Sequence, residues 1–446
     1  MSEARPGSHH LVDHLFRHEA GHLTAMLTRL LGVQNLAIAE EITQDTLLKA
    51  LQVWPYHPPI EQPAAWLRRV ARNLAIDHIR RNRLHELRIH SAGFIPPSVH
   101  PPTDGWLGST DTDPLNDELL RMMFLCCQPN RPIADQVALC LNVVGGLSSQ
   151  EIAAAFLVTP EAMRKRIYRA KKDLRARRTA FELPSEADLP MRLDSVLAVI
   201  YLMFNEGYHS AGSDQVVRRD LCAEAVRLAG LLLQHQRLRP SRVYALAALL
   251  SFQAARLPGR LDDQGDILLL EDQDRSAWDK RLIRQGFALL GKAKKQPCKT
   301  VSAYHLEAGI AGVHCAAASM ETTDWPQILA FYDLLAAQTD SPMIRLNRSI
   351  ALGYAHGPCH ALPILDSLTK DPTIAGHYLL WAALAEFSYR NGNGRRAIEF
   401  IQRASEKAPG SAQRRLLAKK SHIYLKNPDL ASTHTETLRL NNGSKK

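Results

Sequence analysis

Five residues near the N-terminus have the spacing of a metal site. His18, Glu19 and His22 in "HEAGH" fit the H-E-x-x-H pattern. In that pattern two imidazoles one helical turn apart ligate Zn²⁺, and the glutamate polarises a bound water. The surroundings do not complete such a site. An extended zinc motif would need Gly at 25 and His at 28, where Ala25 and Thr28 stand. Glu40 and Glu41 lie at a workable distance for a third ligand, but on a helix that has a better use. The reading is therefore that His18, Glu19 and His22 are polar positions on a first helix, with no metal, cofactor or catalytic residue. Other candidates are weaker. Cys126 and Cys127 are adjacent, and His314-Cys315 and Cys359-His360 lack chelating spacing. Glu271, Asp272, Asp274, Arg275 and Asp279 surround Trp278, which reads as a solvated, salt-bridged helix start or, alternatively, a regulatory contact patch. The chain is not expected to be an enzyme.

The charge points to a polyanion instead. The 446 residues carry 55 Lys+Arg against 45 Asp+Glu, a formal +10, and the basic residues are clustered. Arg68, Arg69, Arg72, Arg80, Arg81 and Arg83 face a single acid, Asp77, in "RRVARNLAIDHIRRNR" (68–83). A second run, "RKRIYRAKKDLRARR" (164–178), holds only Asp173 among its bases, and 104–118 between the clusters is acidic. Two basic elements on an acidic tether suit a nucleic-acid ligand.

The elements that must position these residues are helical. Leu11, Leu15, Phe16, Leu23, Met26, Leu27, Leu30 and Leu31 form a 3.6-residue stripe, as do Ile38, Ile42, Leu47, Leu48, Leu51 and Trp54. After the Pro-rich turn 55–63, a helix is expected from about Ala64 to Arg83. Residues 91–114 read as a flexible linker. In 145–175, Ser148 and Glu151 form a capping box and "LVTP" a turn, with Thr159 as the next N-cap and Pro160 at N1. The second helix then presents Glu161, Arg164, Lys165, Tyr168, Arg169 and Lys172 outward, while Met163, Ile167 and Leu174 pack. Ile152, Ala153 and Phe156 are expected to face inward, with Ala153 and Ala154 permitting a close crossing. This is helix-turn-helix geometry.

"GLSSQEIAAAFLVTPEAMRKRIYRAKKDLR" resembles region 4 of sigma factors of the extracytoplasmic-function type. "AEEITQDTLLKALQVW" (39–54) and "PAAWLRRVARNLAIDHIRRNR" (63–83) resemble parts of their region 2. The resemblance implies an all-α chain: region 2 over 10–90, the linker, region 4 over 115–182, and a C-terminal helical domain over 190–446. It implies core RNA polymerase as partner, met by Glu41, Gln44, Asp45, Leu48 and Lys49. It also implies promoter DNA, with the melted −10 element at Arg68, Arg69, Arg72, Asn73, Asp77, Arg80 and Arg81 and the loop 55–63. The duplex −35 element falls to Thr159 and the outward residues of the second helix. Asp77 serves to orient Asn73 or merely pairs with Arg81; Asp45 likewise has Lys49 within helical reach. Trp54 and Trp66 are expected in the core.

Beyond residue 190, "HYLLWAALAEFSYRNGNGRRAIEFIQRASEKAP" places Trp381, Leu384, Ala385, Gly392, Ala397, Ile401, Ala404 and Pro409 at tetratricopeptide spacing. A repeat array is expected from about 325 to 426, with degenerate helical pairs before it. It would bind the sigma modules or a regulatory protein. With no apolar run of membrane-spanning length and no signal-peptide segment, the chain reads as cytoplasmic. The rival reading is a helix-turn-helix regulator on a tetratricopeptide-like scaffold that works without polymerase.

Overall fold

The computed structural model describes residues 7–56, 60–89, 117–156, 158–176, 181, 185, 187–209, 217–235, 238–296 and 301–426. Among them are eighteen α-helices and no strand beyond a single bridge between Leu261 and Ile267. The linker expected over 91–114 lies outside the described residues. The chain divides into two compact units, Met1–Glu206 with Asp220–Arg239, and Gly207–Arg219 with Pro240–Lys446.

In the first unit, α1 (Gly7–Leu31), α2 (Leu36–Val53) and α3 (Pro63–Ile89) share one core. Phe16, Leu23, Leu27, Ile42, Leu67, Ala71 and Ala75 form it, the apolar stripes read from the sequence turned toward one another. Trp54 lies between Phe16, tilted at 5.5 Å, and Trp66, edge-on at 5.6 Å between ring centroids, and both tryptophans pack against this core as expected. Buried threonines satisfy themselves: Thr24 and Thr43 join hydroxyls at 3.1 Å, and Thr28, Thr43 and Thr46 each donate to a carbonyl one turn back.

Four helices follow: α4 (Glu118–Cys126), α5 (Ile133–Val143), α6 (Ser149–Ala155) and α7 (Pro160–Ala176). The capping box at α6 is present in both directions, Glu151 N–H to Ser148 Oγ and Ser148 N–H to Glu151 Oε2. Thr159 Oγ1 accepts from Ala162 N–H at the start of α7. Ile152 and Ala153 are buried, Phe156 is half-buried, and Ala154 is exposed, so Ala153 alone makes the close crossing. Arg131–Asp173 (2.8 Å) and Arg166–Asp135 (3.1 Å) tie α7 to the chain around α5.

These modules are packed together. Gly21 of α1 lies against the backbone after α5: a Cβ there would stand 3.0 Å from the Val144 carbonyl carbon and closer still to its oxygen. Arg29 meets Glu118 at 3.2 Å, and Lys171 of α7 meets Glu40 of α2 at 2.5 Å. Two helices from beyond residue 185, α8 (Leu189–Tyr208) and α9 (Arg219–Gln234), complete the unit. On α9, Arg227 grips Glu224 of its own helix and Asp117, the N-cap of α4, while Glu224 also lies 3.5 Å from His22.

The second unit is an array of helices packed in chain order: α10 (Ser241–Ala255), α11 (Lys280–Lys295), α12 (Ala303–Ala316), α13 (Trp325–Gln338), α14 (Pro342–His356), α15 (Pro358–Leu368), α16 (Tyr378–Arg390), α17 (Gly394–Lys407) and α18 (Ser411–Lys426). In the α16–α17 pair Trp381, Leu384, Ala385, Ala397, Ile401 and Ala404 are all buried. Gly392 makes the turn at φ 83°, a conformation glycine adopts without strain, and Pro409 follows the end of α17. The segment around Trp278 differs from the solvated helix start expected. Trp278 and Arg275 are buried, because the Arg275 guanidinium donates to the carbonyls of His314 (3.0 Å) and Ala317 (3.1 Å) and to Thr323 (3.2 Å). Asp279 does cap α11, accepting from Arg281 and Leu282 N–H.

Candidate polymerase and nucleic-acid interfaces

Helix α2 buries Ile42, Thr43, Thr46 and Ala50 on one side, which leaves Glu41, Gln44, Asp45, Leu48 and Lys49 exposed together on the other. Asp45 and Lys49 form no ion pair with each other among the described residues. Leu48 is 55% exposed and Leu51, one turn on, 46%. The two leucines form a small apolar patch on an otherwise polar face. The apolar stripe expected over 36–54 therefore does not include Leu48 and Leu51, which lie on the side opposite Ile42, Thr46 and Ala50.

On α3, Leu67, Ala71 and Ala75 face the core, and Arg68, Arg69, Asn73, Asp77, Arg80 and Arg81 are exposed, with Arg72 half-buried. Asn73 has no side-chain hydrogen bond among the described residues, which leaves its amide available. Asp77 does not orient it: its carboxylate lies 4.0 Å from Arg80, and Arg81 Nε donates to the Asp77 backbone carbonyl at 3.3 Å. Arg68 reaches Glu19 at 3.7 Å. That pair involves the opening motif. Glu19 is buried at 4% exposure rather than solvated, His22 turns to Glu224, and His18's side chain lies outside the described residues. No group of three metal-capable side chains occurs among the described residues. Of the loop 55–63, positions 57–59 lie outside the described residues; Tyr56 before them is 87% exposed, a stacking surface the sequence did not single out.

Helix α7 is divided into a buried and an exposed face. Met163, Ile167, Ala170 and Leu174 are buried, and Glu161, Arg164, Lys165, Tyr168, Arg169 and Lys172 are all exposed. Thr159 at its cap is exposed too, and Tyr168 is 66% exposed. Lys165 pairs with Glu161 at 2.7 Å along the helix. Two half-buried cations of the run, Arg166 and Lys171, pair with Asp135 and Glu40. Thr159, Glu161, Lys165 and Arg169 border a hollow of about 660 Å³ beside the first turn of α7.

Comparison with known families matches residues 15–85 to sigma-70 region 2 and residues 132–174 to sigma-70 region 4. The chain belongs to the sigma-70 family. As a sigma factor it acts with core RNA polymerase and promoter DNA in transcription initiation, and the stand-alone regulator is not favoured, since region 2 is present beside the helix-turn-helix. This sigma factor also matches a family of unknown function, DUF6596, over residues 192–294, a span that includes helices of both compact units. It is 28% identical over 175 residues to the RNA polymerase sigma factor CarQ of Myxococcus xanthus, covering 39% of this chain and 93% of that one. It is 37% identical over 348 residues to an uncharacterized protein of Rhizobium meliloti (strain 1021), covering 77% of this chain and 80% of that one. No solved structure matches it. None of its helices, among the described residues, is long and apolar enough to cross a membrane.

Proposed function

We propose that the sigma factor is of the extracytoplasmic-function type and reads a two-part promoter, the melted −10 element with α3 and the duplex −35 element with α7. The observation that carries this is the face of α7. Six side chains able to contact bases or phosphates emerge together, while Met163, Ile167 and Ala170 between them are buried. Arg164, Arg169 and Lys172 supply phosphate contacts, and Thr159, Glu161, Lys165 and Tyr168 near the first turns face base edges. On α3, Arg69, Arg72, Arg80 and Arg81 hold phosphates and Asn73 reads an unpaired base. Arg68 contributes once its distant partner Glu19 releases it. The α2 face Glu41, Gln44, Asp45, Leu48 and Lys49 docks on polymerase, and the chain performs no chemistry of its own. Its place of action is the cytoplasm, where polymerase and promoters are.

Reading both elements at once sets a length. At about 3.4 Å per base pair, the ~25 base pairs between −35 and −10 span roughly 85 Å. Regions 2 and 4, held in van der Waals contact at Gly21 and Val144, do not span it, so polymerase binding has to draw them apart. The helices after residue 185, α9 above all, hold the packed arrangement, and the array from α10 onward is a tetratricopeptide-like domain that biases this step. Run-off transcription with core polymerase, with and without the full chain, tests the reading. New starts at a shared two-part promoter, lost when Arg164 and Arg169 are both changed to Ala, are expected. Starts that persist unchanged in that variant would overturn the assignment of α7.

A further inference from the structure

In the C-terminal unit, the segment between α10 and α11 brings Leu269, Leu270 and Glu271 against α13, α14, α16 and α18, around a cleft of about 340 Å³. That size is at the lower end of small-molecule sites, ~300–1,000 Å³. One wall is aromatic: Trp325 and Tyr354 stack with centroids 4.3 Å apart and planes 15° from parallel. Ile328, Ile350 and Leu270 add apolar surface.

Charge decides what kind of molecule fits. Glu271 and Glu386 stand at one end, but Lys420 donates to both, Arg390 reaches them at 3.3 and 2.6 Å, and Tyr424 Oη donates to Glu386 at 2.8 Å. At this end two carboxylates meet two cations, so an ion entering there finds no unmatched charge and would lose its hydration without recompense. Two uncharged polar groups on the lining are, by contrast, unused. Asn347 makes no side-chain hydrogen bond among the described residues. His314, only 9% exposed, has no partner for its Nδ1. Burial, reinforced by Arg256 and Arg275, pushes its pKa down to about 3, so the ring stays neutral and keeps an acceptor nitrogen. Asn347 is half-buried, whereas the His314 nitrogen is buried, and buried polar groups without partners are rare in folded chains.

We propose that this cleft binds a neutral aromatic small molecule bearing a hydroxyl or ring N–H, packed against the Trp325–Tyr354 wall with Asn347 and His314 supplying its hydrogen bonds. The proposal is independent of the promoter reading. Its test is calorimetric titration of the full-length chain with 1-naphthol, beside 1-naphthoate and 1-naphthylmethylammonium. Saturable one-to-one binding of 1-naphthol, at least tenfold tighter than either ion, is expected. Asn347→Leu and His314→Phe, which keep bulk and remove the polar atoms, should each weaken it at least fivefold, and Ile350→Trp should abolish it by filling the cleft. Thermal melting of each variant identifies any that fails to fold, and three substitutions at separate positions keep the test decisive. Absence of saturable binding, preference for an ion, or binding unaffected by the variants that fold would each overturn the proposal.

Discussion

Replacing Gly21 by Ala tests whether the packed state of regions 2 and 4 opposes initiation. The added methyl would meet the Val144 carbonyl group, with its carbon at 3.0 Å and its oxygen nearer. Both are backbone atoms, so the two helices must separate to reach ordinary contact at ~3.4–4 Å. Overpacking of this kind costs about 1–3 kcal/mol, roughly a 5- to 150-fold shift of the closed–open balance toward open. Alanine is meanwhile the better helix former by about 1 kcal/mol, so α1 itself does not weaken. Gly230→Ala on α9, where a Cβ meets nothing within 4 Å, is the control. Hydrogen exchange should speed up where α1 meets the end of α5 in the Gly21 variant only. Run-off transcription at limiting core polymerase should rise several-fold. Unchanged exchange together with an unchanged polymerase titration would refute the argument that this contact must open.

Three further outcomes follow from the same geometry. Lys172→Ala, an exposed cation with no partner on α7, should weaken promoter binding uniformly across sequences and reduce the slope of log affinity against log salt by about one. Leu48→Asp should lower affinity for core polymerase at least tenfold while leaving the melting temperature within a degree or two, since the side chain is 55% exposed; an equal loss of stability would place Leu48 in the core. Burial opposes ionisation of Glu386, but Lys420, Arg390 and Tyr424 outweigh it and hold the pKa at about 2, below the ordinary 4.5. A depressed carboxylate stabilises the fold above the unfolded pKa. The C-terminal unit should therefore lose stability as pH falls from about 4.5 toward 2, and Glu386→Gln should flatten that dependence in thermal melts.

The faces of α7 and α2 were legible because they follow from periodicity. Met163, Ile167 and Leu174 recur at helical spacing, and Arg164, Lys165, Tyr168, Arg169 and Lys172 fall on the opposite side. Pairings across long stretches of chain leave no such trace. Nothing near Arg68 names Glu19 as its partner, nothing near Lys171 names Glu40, and the burial of Arg275 depends on carbonyls about forty residues away. The same blindness explains "HEAGH". Its spacing is local and suggested a local site, whereas Gly21 and His22 are used for contacts with Val144 and Glu224. The expected start of a C-terminal domain at 190 also followed composition, while α8 and α9 pack with the promoter-reading modules because their apolar faces are buried there.

The ion pairs that join the segment after α10 to α18 have a mechanical consequence. Arg415 reaches Asp266 at 2.6 Å, Lys419 meets Asp262 and Asp266 at 3.1 and 2.9 Å, and Lys420 holds Glu271, links between residues about 150 positions apart. A stack of repeats held only by neighbours frays from its ends and melts piecemeal. Here the last helix is fastened near the first, so neither end is loose. Heat or force should find no terminal turn to peel, and the C-terminal unit should come apart in a single step.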